Sequence, residues 1–271
     1  MTESANKISE ERVIDHDETV QERQRLQNEL QASVQRSAEL AREFDQLNYA
    51  ISHDLRAPLR AIDGFSEILL DDYADRLDDE GKRYLQIVRD NSRKLNGYIE
   101  ALLELSRIGR RELNFVELDM NDLVAAVCTE FMAKDKEHRL DFQIGKLPPA
   151  LGDPDMIREL IAELIGNAVK FTRSRTKAII RVTGEISGRE SRYVVSDNGI
   201  GFDMQYAGKL FVMFQKLHGQ ESAEGSGAGL ARVRRIVDRH GGQAWAEGRI
   251  DEGATFFFTL PVGVNAGALQ G

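Results

Sequence analysis

One histidine of the chain, His53, has neighbours suited to nucleophilic chemistry. Asp54 follows it, and a carboxylate beside an imidazole holds the proton of one ring nitrogen, which leaves the other nitrogen a lone pair for attack. If Ile51 and Leu55 point into a core, helical spacing places His53 away from that stripe and within reach of solvent. Pro58 would deprive the Asp54 carbonyl of its helical partner at a cost of about 3 kcal/mol, and such strain often accompanies function. Taken alone, the pattern fits a surface histidine beside an incidental kink equally well.

A second group of polar residues combines a carboxylate, an amide and an ammonium, namely Glu163, Asn167 and Lys170. At about 100° per residue these three share one face of a helix, opposite its apolar stripe. An amide oxygen can ligate Mg²⁺, and an ammonium can meet phosphate charge. A polar solvent face would produce the same pattern in an isolated helix.

The segment Asp197-Asn-Gly199-Ile-Gly201 follows an apolar run that is typical of a strand. An aspartate at a strand end is placed to accept a hydrogen bond from a ligand amine, and the glycines let the backbone approach that ligand closely. An Asp-Asn-Gly hairpin turn is the alternative interpretation.

A second glycine-rich segment, with Gly225, Gly227 and Gly229, leads into an amphipathic helix. Backbone N–H groups at a helix start, together with the helix dipole, bind phosphate. The spacing matches neither a dinucleotide fingerprint nor a Walker P-loop. Each motif is weak alone, but their order along the chain indicates a phosphate and adenine site.

The first half of the chain is helical in pattern. Apolar residues recur every three or four positions from Leu26 to Leu55, apart from a weaker stretch around Ser37, which favours a dimeric coiled coil over a single surface helix. After an acidic break at residues 71–81, a second amphipathic helix is predicted over residues 82–106, followed by a linker at 109–111. An antiparallel hairpin cannot bury both of its apolar faces, so two hairpins are expected to pair as a four-helix bundle.

The second half alternates between strands and helices, which predicts a mixed α/β sandwich with helices on one face of the sheet. The predicted strands are residues 115–118, 139–144, 177–184, 192–196, 243–247 and 254–260, and the predicted helices are 120–134, 155–171 and 229–240. The predicted domains are an N-terminal coiled coil (1–43), a helical hairpin domain that dimerises (44–112), an α/β domain (113–263) and a flexible tail (264–271).

Composition limits the classes of partner. With 36 basic and 45 acidic residues, the net charge of −9 argues against binding to nucleic acid or to an anionic membrane surface. No apolar run is long enough to span a membrane. The single cysteine, Cys128, excludes a disulfide framework within one chain and fits a reducing, cytoplasmic setting. The acidity lies in the helical half, whereas Lys170, Arg173, Arg175 and Lys177 lie near the predicted phosphate end of the other.

The ordered set of motifs resembles the two-component sensor histidine kinases. Residues 53–60 resemble the H box, 163–170 the N box, 197–201 the G1 box, 211–214 the F box, 225–230 the G2 box and 253–256 the final strand of that family. The sequence Phe-Gln-Lys-Leu-His at residues 214–218, at the end of the F box, is most similar to that of kinases attached to phytochrome- or PAS-type sensors.

This resemblance implies a HisKA-type dimerisation and phosphoacceptor domain followed by a Bergerat-type (GHKL) α/β sandwich that binds ATP and Mg²⁺. Asp197 would bind the adenine amine, Asn167 would ligate Mg²⁺, and Glu163 would assist through a metal-bound water. The other nucleotide-binding positions that it implies are Lys170, Gly199, Gly201, Phe211, Phe214, Gly225, Gly227, Gly229, Leu230 and Thr255, with residues 204–226 as a mobile lid.

The resemblance also implies a reaction and its partners. In a homodimer that forms through the bundle, His53 would attack the γ-phosphate of ATP with Asp54 as base. The phosphoryl group would then pass to an aspartate of a separate response regulator, under the control of an upstream sensor or input partner. Two alternatives are a phosphotransfer or scaffold module with a degenerate ATP domain, and a GHKL ATPase without histidine transfer.

Two positions depart from the family pattern. Ala57 stands where many relatives carry Thr or Asn, which positions water for dephosphorylation of the regulator. We therefore expect weak or absent phosphatase activity. Arg232 stands where relatives are usually apolar, and it would belong either to a solvated face or to the surroundings of the phosphates.

Overall fold

The computed structural model describes residues 2–135, 139–215 and 226–263, and it forms two units, residues 1–51 and residues 52–271. The first unit consists of the N-terminal part of α1 (Thr2–Asp72). The apolar side chains of this unit that the structure describes are exposed between Leu26 and Ile51, with Leu30 65% accessible. The predicted helix is confirmed, and its exposed stripe is the surface that a coiled-coil partner would cover.

The second unit begins with a helical hairpin. The end of α1 leads through a short 3-10 helix (Ala74–Arg76) into α2 (Asp79–Arg110). Asp78 caps α2 by accepting a hydrogen bond from the Gly81 N–H at 2.8 Å. The acidic break at residues 71–81 therefore serves as a turn and a helix start, where carboxylates complement the helix dipole.

Polar contacts fix the antiparallel register of the hairpin. The Ser92 hydroxyl donates to the Leu59 carbonyl at 2.9 Å, and Arg56 pairs with Glu100 at 2.8 Å. Much of the apolar surface stays uncovered, and Phe65 is 69% exposed. The hairpin is confirmed, and this exposure agrees with the expectation that one hairpin cannot bury both of its faces.

The linker predicted at residues 109–111 is wrong in part, because α2 continues to Arg110. Arg239 donates from its guanidinium to the carbonyls of Ile108, Gly109 (2.8 Å) and Arg111 (2.7 Å). These are carbonyls at a helix end that lack partners within the helix. Their satisfaction by a distant arginine allows the helix to extend past Gly109.

The remainder forms a mixed α/β sandwich, as predicted. Its elements are β1 (Val116–Leu118), α3 (Met120–Lys134), β2 (Leu140–Ile144), β3 (Ala150–Gly152), α4 (Pro154–Phe171), β4 (Ala178–Ser187), β5 (Glu190–Asp197), a 3-10 helix (Met204–Lys209), α5 (Gly229–Arg239), β6 (Ala244–Arg249) and β7 (Gly253–Pro261). The main sheet has the order β2-β4-β5-β7-β6, with β2 and β4 parallel and the other neighbours antiparallel. The strands β1 and β3 form a separate antiparallel pair.

The helix α4 lies at the centre of the core. Its apolar stripe is fully buried against the sheet and includes Ile157, Leu160, Ile161, Leu164 and Ile165. Asp153 caps its first turn by accepting from the Met156 N–H at 3.0 Å. Burial of this stripe fixes the rotation of α4 about its axis. The polar residues Glu163, Asn167 and Lys170 therefore lie on the face of α4 opposite this stripe.

A buried histidine joins α5 to the start of α4. The Asp153 N–H donates to His240 Nε2 at 3.0 Å, and His240 Nδ1 donates to the Ile236 carbonyl at 2.8 Å. This pattern requires a neutral ring, and burial lowers the pKa of His240 below its usual value. His240 therefore ends α5 as a structural residue.

Among the described residues, no helix is both long and apolar enough to cross a membrane.

Candidate functional site

One pocket of about 620 Å³ collects residues from the three glycine and polar motifs. The predicted residues that line it are Glu163, Asn167 and Lys170 from α4, Asp197 and Gly201 at the end of β5, and Gly227, Gly229 and Leu230 at the start of α5. Apolar side chains complete the wall, chiefly Phe131, Phe202 and Phe256. The spacing of the motifs indicated the polar set, whereas nothing in the sequence marked the aromatic wall.

Asp197 is the carboxylate at the sheet side of the pocket. Its Oδ1 accepts from the Gly199 N–H at 2.8 Å and from the Ala254 N–H at 3.3 Å. Burial raises the pKa of Asp197, and these two hydrogen bonds oppose the shift. Oδ2 accepts no bond from the described residues. A partly desolvated oxygen of this kind is suited to accept a hydrogen bond from a ligand amine.

The turn after Asp197 depends on two close backbone approaches. Gly201 has a φ of +62°, and a Cβ there would overlap the Arg249 carbonyl. Gly199 is buried, and a Cβ there would press on the Phe171 carbonyl. Only glycine meets both requirements without strain. Gly199 therefore shapes the turn, while Gly201 also reaches the pocket wall.

Arg175 holds this turn from outside the pocket. Its guanidinium donates to the carbonyls of Asn198 and Gly199 at 2.9 Å and of Asp251 at 2.7 Å. Of the basic residues expected near phosphate, Lys170 and Arg173 line the pocket, whereas Lys177 pairs with Asp141 at 2.8 Å. Arg175 is thus a positioning residue that local charge patterning did not distinguish from a phosphate ligand.

The start of α5 forms another wall. Gly227 has a φ of +75°, and its carbonyl accepts from the Phe214 N–H at 3.1 Å. Ser226, Gly227, Gly229 and Leu230 all line the pocket, so the positive end of the α5 dipole borders the cavity. This geometry suits phosphate oxygens.

Glu163 and Arg232 form an ion pair at the pocket wall. Arg232 also pairs with Glu104 of α2, so its guanidinium lies between two carboxylates. Burial raises the pKa of Glu163, and the charge of Arg232 opposes the shift. Of the two interpretations of Arg232, a solvated face is wrong, because its side chain is 20% exposed and both of its terminal nitrogens pair with carboxylates.

His53 lies on α1, outside the pocket, with its side chain 70% exposed. Its Nδ1 is 3.3 Å from Asp54 Oδ1. The predicted reach to solvent is confirmed, and α1 continues as a helix through Pro58. Ala57 is exposed one turn further along the same helix.

Several predicted nucleotide-binding positions do not appear among the described lining residues. Phe211 packs against the core, and the Phe214 ring contacts Tyr98 of α2. Thr255 lies between Ala254 and Phe256, which both line the pocket, and strand alternation turns its side chain to the other face. Gly225 and most of the predicted lid lie outside the described residues.

Two family models match the chain in the order that the motifs predicted. Residues 44–111 match the His Kinase A (phospho-acceptor) domain. Residues 152–264 match the histidine kinase-, DNA gyrase B-, and HSP90-like ATPase family. Together they cover the hairpin with His53 and the α/β domain from the end of β3 onward.

Known proteins are similar to the chain over most of its length. The cyanobacterial phytochrome B of Nostoc sp. is 33% identical over 220 residues, which are 80% of this chain and 29% of the phytochrome. The crystal structure of full-length ShkA in complex with AMPPNP is 27% identical with a TM-score of 0.55, covering 80% of this chain and 46% of that one. The complex of histidine kinase ThkA with response regulator protein TrrA is 25% identical with a TM-score of 0.54, covering 80% and 61%.

The chain thus spans less than a third of the length of the phytochrome that it matches. The similarity to phytochrome-linked kinases that the sequence indicated is confirmed. An exposed histidine on a helical hairpin, an α/β domain with a phosphate-suited pocket and both family matches lead to one conclusion: the chain belongs to the two-component sensor histidine kinases.

Proposed function

We propose that this chain is an ATP-dependent protein-histidine autokinase that phosphorylates His53. The observation that carries the proposal is the convergence of three separate motifs on one pocket, next to a hairpin that presents an exposed histidine beside a carboxylate. Neither feature alone distinguishes a kinase from a binding protein, and together they supply a donor site and an acceptor.

The pocket fits ATP as substrate. Asp197 accepts the adenine amine, and Phe202 and Phe256 supply apolar surface for the base. Lys170, Arg173 and the backbone at Gly227 and Gly229 bind the phosphates.

The residues present also fit Mg²⁺, although no cluster of three or more metal-ligating His, Cys, Asp or Glu side chains occurs in the described part of the chain. Mg²⁺ commonly takes one or two protein oxygens and completes its shell with water and substrate phosphates. The Asn167 amide oxygen supplies one such ligand, and Glu163, one turn away, acts through a water. The bound ion neutralises phosphate charge during transfer.

His53 is the phosphoacceptor. Asp54 accepts a hydrogen bond from Nδ1–H, which fixes the tautomer in which Nε2 carries the lone pair, and it takes up that proton as the Nε2–phosphorus bond forms. Nε2 attacks the γ-phosphorus of ATP, the bond to the bridging oxygen breaks, and ADP leaves. The phosphoryl group then passes to an aspartate of a separate response regulator. ThkA, which is similar to this chain, has been crystallised with such a protein.

The proposed assembly is a homodimer in which two hairpins form a four-helix bundle. The exposed apolar side chains of the hairpin support it, with Phe65, Ile68 and Tyr84 among the most accessible. We also propose the domain bounds given above and an upstream sensor or input partner. A cytoplasmic setting is proposed as well, and the single, buried and free thiol of Cys128 supports it.

The test is to incubate the purified protein with Mg·ATP labelled at the γ-phosphate and to measure the chemical stability of the label. Phosphohistidine is labile in acid and stable in base, and it should be absent from His53→Gln. The matched control is Asp90→Asn, which removes an exposed carboxylate on α2 that bonds only to Gln86. Label that persists in His53→Gln contradicts the assignment of His53.

The alternative function, a phosphotransfer or scaffold module with a degenerate ATP domain, predicts bound nucleotide and no label. The complete set of Asn167, Asp197 and Gly227 in one pocket disfavours it. A GHKL ATPase without histidine transfer predicts hydrolysis that is unaffected by His53→Gln.

A further inference from the structure

Arg232 connects the nucleotide pocket to the helical hairpin. It lies in the first turn of α5 and lines the pocket, and its two terminal nitrogens bind different carboxylates, Glu163 of α4 and Glu104 of α2. Its Nε is buried without a hydrogen-bond partner among the described residues. A guanidinium that is held in this way is partly desolvated, and its ion pairs are stronger than those of exposed side chains.

The register of the hairpin places Glu104 at the height of His53. Arg56 of α1 pairs with Glu100 of α2 at 2.8 Å, which defines one common level of the two antiparallel helices. His53 precedes Arg56 by three residues and Glu104 follows Glu100 by four, so both are displaced in the same direction. At 1.5 Å per residue these displacements are about 4.5 and 6 Å. The ion pair of Arg232 therefore attaches the pocket wall to the hairpin at the level of the phosphoacceptor.

A second contact lies on the same helix. The ring of Phe214 packs on Tyr98 of α2 with the centroids 4.4 Å apart. Phe214 has a φ of +63°, a conformation that L-residues other than glycine adopt only where the surroundings enforce it. Its N–H is bonded to the Gly227 carbonyl. Segments on two sides of the pocket thus both contact α2.

Building on the proposed function, we propose that Arg232 is a positioning residue for phosphoryl transfer: its ion pair with Glu104 docks the Glu163 wall of the pocket on the hairpin at the level of His53. Without a cation between them, Glu104 and Glu163 would repel each other, and the docked arrangement would lose the ion pair that joins the pocket wall to α2. An apolar residue at this position could pair with neither carboxylate and would not support the contact.

A double-mutant cycle on Glu104 and Arg232 tests this proposal. Glu104→Gln should lower kcat for His53 phosphorylation about tenfold, with KM for ATP and the affinity for nucleotide unchanged, because Glu104 does not line the pocket. Glu104→Asp should recover part of the rate. The double variant should be no slower than Arg232→Gln, since both changes break the same contact. The matched controls are Asp90→Asn on α2 and Arg234→Gln on α5, whose arginine pairs with Asp238 of its own helix and donates to the Ala244 carbonyl within the α/β domain.

The docking contact is also measured without nucleotide, as the non-additivity of the same cycle in urea unfolding. The proposal is supported if the effects of the Glu104 and Arg232 substitutions on the free energy of unfolding are not additive and kcat falls while KM is unchanged. A rate that is unchanged or faster in Glu104→Gln, or energies that add independently, overturns it. An unlabelled parent protein overturns the proposed function instead, and the unfolding cycle then still decides whether the docking contact exists.

Discussion

The phosphoacceptor and the nucleotide pocket are built in opposite ways. His53 lies on an exposed helix surface, and its only side-chain hydrogen bond or ion pair among the described residues is with the adjacent Asp54. Asp197 and Glu163 lie in a partly desolvated pocket, and burial raises the pKa of each. A group that must meet a separate domain and then a partner protein needs access, whereas a nucleotide site needs fixed, preorganised groups.

This contrast predicts that substitutions in the turns around the pocket lower the stability of the α/β domain. Substitutions at exposed positions around His53 should change the reaction and leave the stability of the fold almost unchanged.

Gly201→Ala should destabilise the α/β domain by about 3 kcal/mol, because the added Cβ overlaps the Arg249 carbonyl at a positive φ. Urea unfolding measures the change. Gly208→Ala is the matched control, since a Cβ there meets no atom within 4 Å. Equal effects of the two substitutions would show that the turn after β5 is not constrained as described.

Asp197→Asn should weaken nucleotide binding by roughly 10- to 100-fold, as expected for the loss of a hydrogen bond to a charged group. Stability should be equal or higher, because burial disfavours the carboxylate in the folded state and the amide carries no charge. Calorimetric titration and urea unfolding on the same samples separate the two effects. Binding that is retained would exclude Asp197 as the group that recognises the base.

Ala57→Thr should raise dephosphorylation of the cognate response regulator severalfold, because a hydroxyl one turn from His53 can position a water. Ala57 is exposed, so unfolding should change by less than about 0.5 kcal/mol. The rate is measured with phosphorylated regulator in excess, and Ala57→Val serves as the control without a hydroxyl. No difference between the two variants would contradict this interpretation of Ala57.

The smallest effect concerns pH. Because the pKa of His240 is lowered in the folded state, the unfolded chain takes up the proton first as the pH falls below about 6.5. The neutral ring therefore contributes fully to the free energy of unfolding above that pH. As the pH falls from there to the pKa of His240 in the folded state, this contribution is lost by at most about 1.4 kcal/mol per pH unit. Unfolding between pH 7.5 and 5.5 should show this loss in the parent and not in His240→Asn. The same slope in both proteins would argue against a buried neutral ring.

Local patterns predicted the elements well where periodicity and caps agree. The helix α3 has the predicted bounds because an apolar stripe follows the N-cap Asp119. The strand β3 was missed, since three residues after Pro148 and Pro149 are too few to show an alternation. The polar set of the pocket was predicted because each member belongs to a motif with its own spacing.

Long side chains that act between elements were not predictable. Arg175, Arg232 and Arg239 each bind groups that are distant in sequence, and nothing in the neighbouring residues indicates the partner. Gly109 suggested a linker for the same reason, because the arginine that satisfies the end of α2 lies 130 residues later. Thr255 was placed by family pattern alone, and the pleat of β7 turns it away from the pocket.

The most direct test of the account is the site of the phosphoryl group after the protein is exposed to Mg·ATP. Peptide mapping at neutral to basic pH should place an acid-labile phosphate on His53. His53→Gln should bind nucleotide normally, unfold within about 0.5 kcal/mol of the parent and carry no label. A stable label on any other residue, or the same acid-labile label in His53→Gln, would contradict the account.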